Sequence, residues 1–75
     1  MSQKLPAIKS KELVRFLCNK RGFFVERISG SHYQLKNVAT GRRVTIPMHR
    51  EEIRRGTLKE IMAAVGLSRE ELSEI

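Results

Sequence analysis

In 75 residues the chain has one cysteine, two histidines, two prolines and no tryptophan. One cysteine excludes an internal disulfide. The two histidines, the cysteine and eight scattered acids show no ligand spacing such as His-x-x-x-His or Cys-x-x-Cys, so neither a metal nor a cofactor is expected. No apolar run approaches the ~20 residues of a membrane-spanning helix. The opening Met1-Ser2-Gln3-Lys4-Leu5-Pro6 also lacks the apolar stretch of a secretory signal, so the expectation is a soluble cytoplasmic protein. A chain this short builds one modest core in two layers and has no room for a second domain.

Positive charge is what the sequence has in excess, and it is unevenly placed. Residues 1–50 carry eleven Lys or Arg against two acids, a net +9, whereas residues 51–75 carry four against six, a net −2. A small, strongly cationic surface concentrates polyanions and binds them in a salt-dependent way. Nucleic acid is therefore the leading partner class, with an acidic protein second.

Along the chain, residues 1–9 read as a flexible tail. Ser10 is placed to cap a helix over 10–21, on which Leu13, Phe16 and Leu17 recur at the spacing of a buried stripe. Gly22 stops it. A meander of three strands is expected over 23–47: Phe23 to Ser29, a Gly30-Ser31 turn, His32 to Asn37, a loop through Gly41, then Arg42 to Ile46, ended by Pro47. Thr57-Leu58-Lys59-Glu60 reads as a capping box opening a helix striped with Leu58, Ile61, Met62 and Val65. Ser68-Arg69-Glu70-Glu71 reads as a second box, so that helices occupy 57–74. The expected class is α+β, in the order helix, three antiparallel strands, helix, with the helices on one face of the sheet.

Alternation along the strands assigns the faces. Tyr33, Leu35, Val44 and Ile46 fall on the core side, and His32, Gln34, Lys36, Arg43 and Thr45 on the other. The first strand is ambiguous, because Phe23 and Val25 point one way and Phe24 and Ile28 the other. Phe23 and Val25 are preferred as core.

The cationic face contains the candidate chemistry. His32 follows the hairpin turn directly, and an imidazole takes or gives a proton near neutrality, as attack of a ribose 2′-OH on its phosphate requires. Arg27, Lys36, Arg42 and Arg43 are candidates for holding phosphate, with Ser31 in the turn beside them. His49, just past the third strand, is placed to contact phosphate, to cap the next segment or to move a second proton. A lone strand histidine is more often an ordinary surface residue, and paired arginines more often plain solubilising charge. Cys18, on the first helix among apolar residues, reads as a packing thiol.

Gly22-Phe23, Arg27, Gly30-Ser31-His32, Val44-Thr45-Ile46-Pro47 with His49, Gly56-Thr57-Leu58 and Ala64-Val65-Gly66-Leu67 occur in this order with compatible spacing. This set resembles the HicA family of toxin–antitoxin mRNA interferases over roughly residues 5–72. The resemblance implies a fold like the double-stranded-RNA-binding domain, a catalytic His32, mRNA as substrate, and a HicB-type antitoxin that binds the protein and blocks the site. The expectation is thus a metal-independent endoribonuclease cleaving by 2′-OH transesterification. The competing expectation is a non-catalytic RNA-binding module that uses the same face. That face can hold a single strand, although Tyr33 is not free to stack on bases if it is core.

Overall fold

The computed structural model describes residues 5–75, in the order α1 (Ser10–Lys20), β1 (Phe23–Ser29), β2 (His32–Asn37), β3 (Arg43–Pro47), α2 (Arg55–Val65) and α3 (Arg69–Leu72). The strands form one antiparallel sheet in the order β1-β2-β3, and the helices pack on one of its faces. This is the α+β arrangement of the double-stranded-RNA-binding-domain type. The alternation of apolar residues produces it directly. Leu35, Val44 and Ile46 project from β2 and β3 into one cluster with Leu13, Phe16 and Leu17 of α1 and Leu58 and Ile61 of α2. Among the described residues no helix is long and apolar enough to cross a membrane.

Two helix starts differ from the sequence expectation. The α1 cap position is Lys9, whose backbone N–H donates to the Glu12 carboxylate at 3.2 Å. Ser10, expected as the cap, is buried inside the helix instead, and its hydroxyl donates to the Pro47 carbonyl at 2.6 Å, tying α1 to the end of β3. At α2 the helix begins at Arg55 with Arg54 at the cap position, so Thr57 is already a helical residue and the expected Thr57 box does not open the helix. The Ser68 box is present: Ser68 Oγ accepts from the Glu71 N–H, and the Glu71 carboxylate accepts from the Ser68 N–H.

The expected tail over 1–9 gives way before its end, while residues 1–4 lie outside the described residues. Ile8 is a core residue, its carbonyl accepts from the Ile53 N–H at 2.8 Å, and the Lys9 backbone pairs with that of Glu52 as a single antiparallel β-bridge. Apolar burial of Ile8 and that backbone pairing hold the segment against the loop that leads into α2.

The ambiguity of β1 has a structural cause. Val25 pairs with Leu35 and Arg27 with Gln34, so Glu26 is an extra residue, a β-bulge that resets the alternation. Phe23 and Val25 before the bulge, and Ile28 after it, all fall on the helix side. Only Phe23 is buried, however; Val25 and Ile28 are 38% and 56% exposed, which corrects the placement of Val25 in the core. Both lie on an edge strand, farther along it than Phe23, where the helical layer no longer covers them.

Candidate functional site

The face of the sheet turned away from the helices is built in rows of directly opposed residues. Phe24, Lys36 and Arg43 form one row, Arg27, Gln34 and Thr45 the next, and Ser29, His32 and Pro47 the last. The bulge at Glu26 is what brings Arg27 onto this face; without it, alternation from Phe24 would send Arg27 to the helix side. The Gly30-Ser31 turn fixes the last row. Gly30 adopts a positive φ of 59° at the first central position, the pattern of a type II′ hairpin, and sets Ser29 opposite His32.

Arg27, Ser29, His32, Gln34 and Thr45 line a shallow depression of about 300 Å³. The imidazole is solvent-exposed, Gln34 is half-buried between the two edge strands, and Arg27 has no carboxylate partner among the described residues. An accessible proton-transfer group, an unneutralised guanidinium, an amide and two hydroxyls therefore share one concavity. Such a set can bind a phosphodiester and move a proton on it.

The other candidate residues are distributed differently. Lys36 lies on the same face, two rows from His32. Arg43 is there too, but its guanidinium is engaged: Nε and Nη2 donate to the Glu26 carboxylate at 2.9 and 3.4 Å. Through that hydrogen bond, and with the charges of Arg43 and Lys36 nearby, the Glu26 carboxyl is held below its ordinary range. Arg42 does not join the group. Its Nη1 lies 3.6 Å from where a side chain on Gly66 would begin, so its charge rests against the C-terminal end of α2, the favourable end of the helix dipole for a cation. Ser31 stays in the turn, where its carbonyl accepts from the Met48 N–H at 2.6 Å, and it is Ser29 that supplies a hydroxyl to the depression. His49 lines a separate concavity of about 510 Å³ with Pro47 and residues 50–54 and 57.

In comparisons with known proteins, the family described as HicA toxin of bacterial toxin–antitoxin systems matches residues 10–67, well over half of the chain. The chain belongs to the HicA toxin family. Membership in a toxin–antitoxin system implies an antitoxin partner for this HicA protein. The comparison with curated proteins returns no match.

Sequence reasoning missed Ser29 as a lining residue of the HicA depression. The signal was available, since a two-residue hairpin turn sets the residue before it opposite the residue after it. Among the described residues no three His, Cys, Asp or Glu side chains gather into a potential metal site. Cys18 is half-buried, and desolvation pushes its thiol up, away from the thiolate a nucleophile needs.

Proposed function

We propose that this HicA protein is a metal-independent endoribonuclease that cleaves mRNA by transesterification, with His32 moving the proton. The observation that carries the reading is the shared depression, in which an exposed strand histidine lies beside the unpaired Arg27. In the reaction the ribose 2′ oxygen attacks the adjacent phosphorus, the bond from phosphorus to the 5′ oxygen breaks, and the leaving oxygen takes up a proton. The products are a 2′,3′-cyclic phosphate and a 5′ hydroxyl. His32 serves as general base toward the 2′-OH or as general acid toward the leaving oxygen. Arg27 stabilises the charge gathering on the phosphoryl oxygens, with Gln34 and the Ser29 and Thr45 hydroxyls as further donors. Lys36 guides the flanking backbone, and Arg43 joins it where RNA displaces Glu26. A HicB-type antitoxin silences the toxin in the cytoplasm by covering this open face.

His32 is the sole imidazole in the depression, and this favours one competing reading, an RNA-binding module without chemistry. One experiment separates the two. The protein and its His32→Ala variant are incubated with a defined mRNA in EDTA, and with a matched RNA whose target ribose lacks the 2′-OH. Cleavage by the wild type alone, ending in a cyclic phosphate and abolished on the deoxy substrate, supports the ribonuclease. Salt-sensitive binding by both proteins without any cleavage supports the module.

A further inference from the structure

Phe24 is left over once the His32 depression and the core are accounted for. It is 42% exposed on the open face, opposite Lys36 and in the same row as Arg43. A large aromatic ring there gains nothing from the core, which uses its neighbour Phe23. Its surroundings are charged: Lys36 beside it, and the Glu26–Arg43 ion pair spanning the sheet. A flat apolar protein partner would have to desolvate all three charges to reach the ring, which is costly. A nucleotide makes no such demand, because its base offers a π-face to the ring while its phosphate meets the ammonium.

We propose that Phe24 is a stacking platform for one unpaired base of single-stranded RNA, and that Lys36 holds that nucleotide's phosphate. The proposal rests on the ribonuclease reading for which strand passes over the face, and it adds a substrate class: RNA whose bases are free to leave the helical stack. The row of Phe24 is four residues along β2 from His32, about 13 Å at strand spacing. The stacked base therefore belongs to a nucleotide further along the strand and not to the ribose under attack, so Phe24 is a specificity determinant. Tyr33 and Phe23, the other two Phe or Tyr residues of the hairpin, cannot take this role because both face the helices.

The test uses the full-length His32→Ala protein, so that binding is read without cleavage, and single-stranded RNA oligonucleotides carrying 2-aminopurine at successive positions. Adding Phe24→Ala is expected to weaken single-strand affinity roughly 5- to 150-fold, the range for loss of one stacked base. It should also abolish fluorescence quenching at one position, while Phe24→Trp preserves both and affinity for a perfect duplex of the same sequence barely changes. Equal single-strand affinity for the parent, Ala and Trp proteins overturns the proposal. So does a Phe24→Ala effect confined to self-association in sedimentation, which would assign the ring to a second copy of the chain. The two readings fail separately. Phe24-dependent binding without cleavage by the His32 protein leaves the platform standing and removes the ribonuclease, whereas cleavage without Phe24 dependence does the reverse.

Discussion

The two faces of the sheet are made by the same three strands yet share almost no physical role. On the helix side, Leu35 and Ile46 are completely removed from solvent and Phe23 and Val44 nearly so. On the open side, Phe24, Arg27, Ser29, His32, Arg43 and Thr45 are exposed, and only Gln34, Lys36 and Pro47 are partly covered. Alternation thus divides one stretch of sequence into residues that hold the fold and residues free to act on a ligand. A substitution on one face should be felt in stability, and one on the other in RNA chemistry, with little crossover.

His32→Ala is the strongest test of that division. Loss of a general acid or base is expected to slow RNA cleavage about 10²- to 10⁴-fold, while the urea midpoint stays within the shift of an ordinary surface substitution, about 0.5 kcal/mol. A rate loss accompanied by a collapse of the midpoint would show His32 to be structural. Leu35→Ala, three residues on and pointing the other way, should cost about 2–5 kcal/mol by leaving a cavity in the core. A domain of this size has only about 4–11 kcal/mol in hand by per-residue averages, so much of that variant should be unfolded under mild denaturation. Folded Leu35→Ala protein recovered in stabilising osmolyte should retain the cleavage specificity of the wild type.

The arginines sharpen the comparison further. Arg27→Ala should reduce the slope of log affinity against log salt by about one, the signature of one lost phosphate contact. Arg42→Ala should leave that slope unchanged and slightly lower thermal stability, since its guanidinium lies against the end of α2. Fluorescence titrations of a single-stranded RNA at several salt concentrations measure both. An equal change of slope for the two variants would mean that RNA reaches beyond the open face.

Much of this division was legible in the sequence. Strict alternation in β2 and β3 places His32, Gln34, Lys36, Arg43 and Thr45 together, and the stripes on α1 and α2 show which side the helices cover. What stayed hidden depends on events that alternation does not encode. The bulge at Glu26 changes the face of every later residue in β1, and nothing about a glutamate between Val25 and Arg27 announces it. Ser10 has the chemistry of a cap but is drawn inward by the Pro47 carbonyl. Alternation from Val44 already separates Arg42 from Arg43, but tertiary placement alone sets Arg42 against the end of α2 and Arg43 against Glu26.

The smallest expected effect concerns the two carboxylates held below their ordinary range, one in each layer. Glu71 is lowered chiefly by the Ser68 backbone N–H and hydroxyl, with Arg21 adding to it; Glu26 is lowered chiefly by its hydrogen bond with Arg43. A carboxyl whose value is depressed on folding contributes stability that is fully present above its unfolded value and is lost as pH falls through the depressed one. Acidification from neutrality should therefore destabilise the wild type through the carboxylate range, and both Glu71→Gln and Glu26→Gln should flatten that slope. Glu71 should matter more, because its carboxylate caps α3 and also joins that helix to Arg21 at the end of α1. The Glu26 contribution should fade with added salt, since its ion pair stands in solvent. On the open face Glu26→Gln has a second consequence, releasing Arg43 and removing the sole acid of the three strands. RNA affinity should rise while stability barely moves, as measured by titration and urea unfolding on the same protein. A fall in affinity would instead mean that Glu26 holds Arg43 in the orientation RNA requires.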